Sequence, residues 1–233
     1  MHLASRSALT AATLALLPCL ALAQGGDQSK AVAGGGISVP GWMGKIDAGE
    51  ASRGAQLNQS KLEMEGKALH VVTGPAVVYW KPDNKGSGDY TVKATFHEPK
   101  FQGLNSHPHP YGIFIAGNDM GTDNESLLYC AAYGTGNFIV RGFGPAPFKM
   151  NGNGAPNAAV HKAAGVGSEV SQDIAMSVKG DKVSCSINGT EVWSDTKANL
   201  VGAGKIKSTD GVFGVRFAHN TEGHVIGLTM TKP

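Results

Sequence analysis

The chain has 233 residues, of which 41% are hydrophobic and 33 are glycine, and its formal net charge is +2. This near-neutral balance argues against nucleic-acid binding and polybasic membrane binding, because both need clustered positive charge. The hydrophobic fraction excludes a disordered chain, and the glycine content predicts one turn-rich globular domain.

The first 23 residues have the pattern of a secretory signal peptide. A weakly basic start is followed by an apolar segment, residues 8–22, that ends in Ala21-Leu22-Ala23. Signal peptidase cleaves after such a small-x-small sequence, so we expect a periplasmic or secreted protein. The alternative is a membrane anchor, but the apolar run is shorter than the ~20 residues of a spanning helix.

Residues 24–36 (QGGDQSKAVAGGG) are polar and rich in glycine, which predicts a flexible leader, and residues 37–233 form the predicted domain. The domain follows a period of two rather than a helical period. The predicted strands are 68–72, 76–80, 89–97, 111–116, 127–133, 137–143, 173–178, 182–187, 190–194, 212–218 and 224–231.

The strand over 89–97 has the clearest alternation, with Tyr90, Val92, Ala94 and Phe96 on one face. That pattern predicts one buried and one polar face. Asn188-Gly189 separates two later strands and is the strongest short hairpin signal, because both residues tolerate positive φ.

About ten short antiparallel strands must stack or close to protect their edges, so the sequence predicts an all-β sandwich of two sheets. Residues 144–154 (GPAPFKMNGNG) are too rich in glycine, proline and asparagine for a core strand. We expect a long loop at one rim, where binding residues often lie.

The order of these motifs resembles the bacterial concanavalin A-like lectin/glucanase jelly-roll family over residues 40–231. The resemblance is carried by strands and turns in order: SGDYTVKATF (87–96), HPHPYGIFIAG (107–117), SLLY (126–129), FIVR (138–141), VKGDKV (178–183) and GVFGVR (211–216). It implies an antiparallel two-sheet jelly roll, and more distantly it is similar to the keto-disaccharide hydrolase domain.

Two departures bear on the function that this resemblance implies. The laminarinase branch carries an E-x-D-x-x-E strand, and no such string occurs in this chain. The keto-disaccharide hydrolase pattern has acidic residues on a mid-chain strand, whereas residues 127–133 contain none. The lectin side of the family therefore fits the chain better than the glucanase side.

Cys130 and Cys185 are the two cysteines that remain after signal cleavage. An oxidising compartment allows one disulfide between them. Two buried thiols on separate strands are an equal alternative, because a bridge requires Cα atoms within about 7 Å.

Acidic residues provide two weak candidate sites. Asp119, Asp123 and Glu125 lie in one loop and could hold Ca²⁺ through oxygen ligands, although polar turn chemistry explains them equally well. Glu63 and Glu65 have the i, i+2 spacing of paired carboxylates. They precede Gly66-Lys67, which favours a solvated turn over a catalytic pair.

His107 and His109 are separated by one proline and followed by another. Proline favours an extended chain, so the two imidazoles could form half of a transition-metal site. A third ligand would have to come from elsewhere, such as His97 or His161. An ordered entry into the next strand is the simpler interpretation.

Polar and aromatic side chains on apolar strands predict a ligand-binding groove on one sheet. A charged residue in such a strand must face a cleft, solvent or a partner. The predicted set is Tyr129, Arg141, Arg216, His219 and Asn220.

The sequence leads to three functional hypotheses. The first is a non-catalytic module of the cell envelope that binds a glycan or another polyhydroxylated ligand. The second is a sugar-active hydrolase or lyase related to the keto-disaccharide hydrolases, with His97, Asp119 or His219 in its cleft. The third is a structural envelope protein whose sheet docks a protein partner.

Overall fold

The computed structural model of the chain describes residues 29–102 and 109–233. The signal peptide predicted over residues 1–23 therefore lies outside the described residues. Almost every regular element is a strand, which confirms the predicted all-β class. Three short helical segments accompany them: an α-helix at Ala48–Ala51, a 3-10 helix at Leu57–Gln59 and a π-helix at Ala198–Gly202. Within the described part of the chain, no helix is long and apolar enough to cross a membrane.

Sheet A contains eight strands, and its neighbours pair in antiparallel fashion except for the parallel first pair. In spatial order these are β1 (Gly36–Ile37), β3 (Lys61–Glu65), β4 (Ala68–Val72), β16 (Glu222–Thr231), β6 (Tyr90–Glu98), β12 (Val170–Lys179), β13 (Lys182–Ile187) and β14 (Thr190–Thr196).

Sheet B also contains eight strands, and all its pairs are antiparallel. In spatial order these are β10 (Phe148–Lys149), β9 (Asn137–Phe143), β8 (Ser126–Ala132), β7 (Tyr111–Asn118), β15 (Gly211–Phe217), β5 (Val77–Gly86) and β2 (Met43–Ile46), with β11 (Ala155–Pro156) paired to β9.

The main core lies between the two sheets. Tyr90, Val92, Ala94 and Phe96 of β6 are 1%, 0%, 5% and 1% exposed, so the alternation predicted for this strand is confirmed. The Phe96 ring contacts two aromatic side chains of sheet B. Its centroid lies 5.7 Å from that of Tyr111 on β7 and 6.0 Å from that of Phe217 on β15.

A disulfide joins the sheets through this core. Cys130 on β8 and Cys185 on β13 are both fully buried, with Cα atoms 6.3 Å apart. Of the two alternatives left by the sequence, the structure contains the bridge, because these two strands face each other across the sandwich.

Sheet B is also buried on the face that points away from sheet A. A second apolar cluster covers this outer face; it contains Val78, Trp80, Phe114, Leu127, Tyr129, Ala131 and Ile139. Every residue of β8 (SLLYCAA) is consequently buried. A continuous run of apolar residues is expected in a strand that is covered on both faces.

The segment before the first strand differs from the flexible leader predicted over residues 24–36. In its described part, the backbone N–H of Val32 donates to the carbonyl of Gln59, and that of Gly36 donates to the carbonyl of Ser60. Residues 29–36 are thus fixed against the domain by backbone hydrogen bonds. Composition missed this because the contacts use main-chain groups rather than apolar side chains.

Candidate functional site

Two clefts open on the outer face of sheet B and share one wall. Their volumes are about 510 Å³ and 740 Å³, within the ~300–1,000 Å³ range of small-ligand sites. Tyr129, Arg141 and Arg216 line both clefts. We call the two clefts together the groove.

Strand register places these three side chains side by side. Tyr129 on β8 is the direct cross-strand partner of Arg141 on β9, so both point to the same face. Arg216 on β15 lies over the Tyr129 ring, with its guanidinium carbon 5.6 Å from the ring centroid, and at the same distance from the ring of Phe143. The two aromatic rings and the guanidinium groups form the floor of the groove.

The rim is built by the segment around the α-helix and by the glycine-rich loop. Asp47 and Glu50 line the second cleft, as do Gly144, Pro147, Phe148 and Lys149. Asn153 and Gly154 line the first cleft. The loop predicted over residues 144–154 therefore forms part of the wall, with the two-residue strand β10 inside it.

Arg216 is only 6% exposed and forms an ion pair with Asp47, whose Oδ2 accepts from Nη2 at 2.6 Å. Burial, the largest single effect, would lower the pKa of the guanidinium, but the charge and hydrogen bond of Asp47 together with Tyr129 and Glu50 outweigh burial and raise that pKa. The side chain therefore stays charged at the base of the groove.

Two buried N–H groups of the groove have no hydrogen-bond partner within the described residues: Nε of Arg141 and Nη1 of Arg216. A buried donor left unpaired costs roughly 1–3 kcal/mol, so such groups are rare in folded proteins. Both belong to arginine side chains that line the two clefts.

A carboxylate and two histidines meet at one end of the groove. His219 lines the first cleft, and its Nδ1 lies 3.5 Å from Oε1 of the buried Glu50. Its ring packs edge-on against His109, with centroids 4.4 Å apart. Burial would raise the pKa of the Glu50 carboxyl, but hydrogen bonds from His219, Ser29 and the Ala76 N–H outweigh burial and lower it.

Four of the five residues predicted for the groove line the first cleft: Tyr129, Arg141, Arg216 and His219. Asn220, which adjoins His219, is not among the residues that line the first cleft, and its role in the groove stays a prediction. Its backbone has a φ of 52°, and its side-chain Oδ1 accepts from the N–H of Lys30. Asparagine tolerates this left-handed conformation, so here it serves a turn and the docked leader.

In the structure, two of the three carboxylates considered for a Ca²⁺ site have cationic partners. Asp119 is paired with Lys207, and Glu125 lies 3.4 Å from Lys45 while accepting from the N–H of Gly121. Among the described residues, Asp119, Asp123 and Glu125 are not a set whose ligand atoms converge within 4.8 Å. Lysine pairing and a turn hydrogen bond thus engage Asp119 and Glu125, whereas Asp123 lines the second cleft.

The histidine half-site is not assembled in the described residues. His107 lies outside them, and His109 lines the groove of sheet B. His97 is on β6 of sheet A, and the Nδ1 of His161 lies 2.8 Å from the carbonyl oxygen of Ser171. The two candidate third ligands are thus placed with other partners.

Sequence reasoning missed Asp47 and Glu50, the residues that position the cationic side chains. They lie on the turn and short helix after β2, where no periodic pattern indicates an element. Their contacts with Arg216 and His219 span about 170 residues of sequence, from Asp47 to Arg216. No local signal encodes such a pairing.

No protein-family model matches the chain, and neither does any curated protein. Solved structures are similar to it. A Bacillus subtilis protein of unknown function with a galectin-like fold aligns at 11% identity with a TM-score of 0.51, covering 82% of this chain and 89% of that one. The exoplasmic/lumenal domain of VIP36, in its Ca²⁺/Man3GlcNAc-bound form, aligns at 9% identity and 0.51, covering 84% and 87%. Carbohydrate-binding module CBM66 from Bacillus subtilis aligns at 11% identity and 0.49, covering 84% and 98%.

The fold is a galectin-like jelly roll. The predicted two-sheet jelly roll is therefore confirmed. These identities are too low to extend the likeness beyond the fold, and what the groove binds must be argued from its own side chains.

Proposed function

We propose that the chain is an exported, non-catalytic carbohydrate-binding protein of the periplasm or the extracellular space, and that its groove binds the glycan. The observation that carries the proposal is the pair of guanidinium groups, of Arg141 and Arg216, that line both clefts beside Tyr129. Sugar hydroxyl and carboxylate oxygens are the acceptors that such donors require.

The rest of the groove has the composition of a sugar site. Apolar and aromatic surface with a few placed polar groups is typical of ligand pockets, and Tyr129 and Tyr133 supply aromatic surface beside the donors. Asn137 and Asn153 add amide groups at the first cleft. The VIP36 domain, which has a similar fold, was solved with a mannose-containing glycan, which supports a glycan ligand here.

Charge narrows the ligand class. The described residues that line the first cleft include two arginines and two histidines but no carboxylate. The second cleft is lined by five cationic side chains and four carboxylates, of which Asp47 and Glu125 pair with Arg216 and Lys45, and Glu50 contacts His219. We therefore expect oligosaccharides that carry uronic acids to bind more tightly than neutral ones.

The test is calorimetric titration with matched neutral and uronate oligosaccharides. Arg141→Met keeps an apolar side chain of similar length but removes the guanidinium donors. We expect it to lose affinity by on the order of 10-fold or more, because a hydrogen bond to a charged group contributes roughly 1.5–3 kcal/mol. Lys93→Met, which removes an exposed cation from sheet A, is the control and should bind like the wild type. If Arg141→Met binds the oligosaccharides as tightly as the wild type, the groove is not the glycan-binding site.

A sugar-active enzyme is the second candidate, favoured by the contact between Glu50 and His219. A carboxylate that orients an imidazole in a cleft is a common arrangement for a general base. For a uronate substrate, His219 would take the proton α to the carboxylate. The C–H electron pair would form a C=C bond while the glycosidic oxygen leaves with its bonding pair.

Incubation with uronate oligosaccharides distinguishes the candidates. A lyase produces shorter products with a new ultraviolet-absorbing double bond, and His219→Ala would abolish product formation while leaving Arg141-dependent binding measurable. Unchanged substrate in the presence of tight binding supports the non-catalytic function.

A further inference from the structure

A row of histidine and glutamate side chains crosses sheet A on the face opposite to its core. His224 of β16 is the direct cross-strand partner of His70 on β4 and of His97 on β6. Glu63 of β3 is the partner of His70 on the other side. Directly opposed residues have Cβ atoms ~4.5–5.5 Å apart, so their side chains meet.

Strand alternation puts two further carboxylates on the same face. Glu65 lies two residues after Glu63, and Glu222 lies two residues before His224. The neighbouring residues Leu62, which precedes Glu63, and Val225, which follows His224, point inward and belong to the core. The row therefore belongs to the solvent face of sheet A, on the other side of the sandwich from the groove.

Three of these side chains converge at one point. Glu65 Oε2 lies 3.0 Å from His224 Nε2 and 3.4 Å from His70 Nδ1, and the ligand atoms of all three residues lie within 4.8 Å of one another. Around a tetrahedral zinc with Zn–N and Zn–O bonds of about 2.0–2.2 Å, adjacent donor atoms are roughly 3.3–3.5 Å apart. The distances from Glu65 to the two imidazoles are close to those of a zinc site. The rings themselves are stacked, with centroids 4.6 Å apart and an interplanar angle of 11°, so a bound ion requires them to rotate until both nitrogens face it.

The surroundings of His70 match the support of a metal-bound histidine. Its Nε2 lies 3.1 Å from Glu222 Oε1. Its Nδ1 lies 3.2 Å from Glu63 Oε1 and 3.4 Å from Glu65 Oε2. With a metal ion on Nδ1, the imidazole would keep its proton on Nε2, where the Glu222 carboxylate accepts it. Carboxylate–histidine–metal arrangements orient ligands in this way.

The excess of carboxylates around the two imidazoles also favours binding of a cation. Glu63, Glu65 and Glu222 bring three carboxylates into contact with the two imidazoles, and the ammonium group of Lys61, 2.6 Å from Glu63, offsets one of them. His224 Nδ1 is a buried atom without a hydrogen-bond partner among the described residues. Two imidazoles and a carboxylate are ligands typical of zinc and related transition metals.

We infer that Glu65, His70 and His224 bind one divalent transition-metal ion, with Zn²⁺ as the probe, and that the ion joins β3, β4 and β16 on the outer face of sheet A. Glu65 is exposed, so solvent can reach the site, and Glu63 lies beside it, 3.2 Å from His70. This site and the groove lie on opposite faces of the sandwich, and the metal ion contacts none of the residues that line the groove.

Zinc binding to the metal-free full chain, measured by equilibrium dialysis, tests the inference. We expect one ion per chain and a higher melting temperature with zinc, because a ligand that binds the folded state alone stabilises it. Glu65→Gln should lower the affinity on the order of 100-fold, and Glu222→Gln about 10-fold to 100-fold. Glu191→Gln, the same change at an exposed position of β14, should bind zinc like the wild type.

Nuclear magnetic resonance of the imidazole nitrogens provides a second readout that a folding defect cannot imitate. Zinc should shift the signals of His70 and His224 and leave that of His161 unchanged. The inference is overturned if Glu65→Gln binds zinc as tightly as the wild type, if sub-millimolar zinc does not bind, or if other histidines shift instead.

Discussion

Glu98, the last residue of β6, is a carboxyl group inside the core. It is 5% exposed, and its Oε2 has no hydrogen-bond partner among the described residues. Burial raises the pKa of this carboxyl to about 7, from an ordinary value of 4.5. Between those two values the folded chain binds the proton and the unfolded chain does not, so the free energy of unfolding falls as pH rises.

The size of this effect follows from the shift. Between about pH 5 and about pH 8, the free energy of unfolding of the wild type should fall by on the order of 2 to 3 kcal/mol because of Glu98. Glu98→Gln cannot ionise at this position, so it should not show this part of the decrease. Urea denaturation of both proteins at the two pH values measures it. Glu169→Gln, an exposed change of the same kind, is the control. A parallel pH dependence in wild type and Glu98→Gln would contradict the assignment.

At the scale of elements, strands that alternate or form continuous apolar runs were predictable from the sequence. β4, β9 and β13 begin and end where the pattern predicts. β1, β2, β3, β10 and β11 were missed: four of them have four residues or fewer, and β3 has two consecutive exposed residues, Met64 and Glu65, at its end.

The two candidate sites also differ in whether the sequence allows them to be predicted. Tyr129, Arg141 and Arg216 could be found because each is a polar or aromatic residue in an apolar strand. The histidine row of sheet A could not, because its members come from β3, β4, β6 and β16, and only the register of these strands brings them together. Metal-binding sequence motifs consist of residues close together in sequence, whereas these residues come from different strands and are brought together by strand pairing.

At the scale of the whole molecule, one covalent link joins the two sheets. The Cys130–Cys185 disulfide closes a loop of 55 residues between β8 and β13. Cys130 directly follows Tyr129, so the bridge also anchors the strand that carries the floor of the groove. In an exported protein such a bridge persists, because the compartment is oxidising.

Loss of this bridge should destabilise the domain without changing its topology. A disulfide that closes a loop of this length restricts the unfolded chain and thereby raises the free energy of unfolding by about 4 kcal/mol. We expect reduction of the wild type to lower the free energy of unfolding by that order, measured by urea denaturation with and without reductant. Cys130→Ala/Cys185→Ala should lose somewhat more, because it also leaves small cavities, and reductant should not affect it. An unchanged unfolding midpoint for the reduced wild type would mean that packing between the sheets, rather than the bridge, holds β8 against β13.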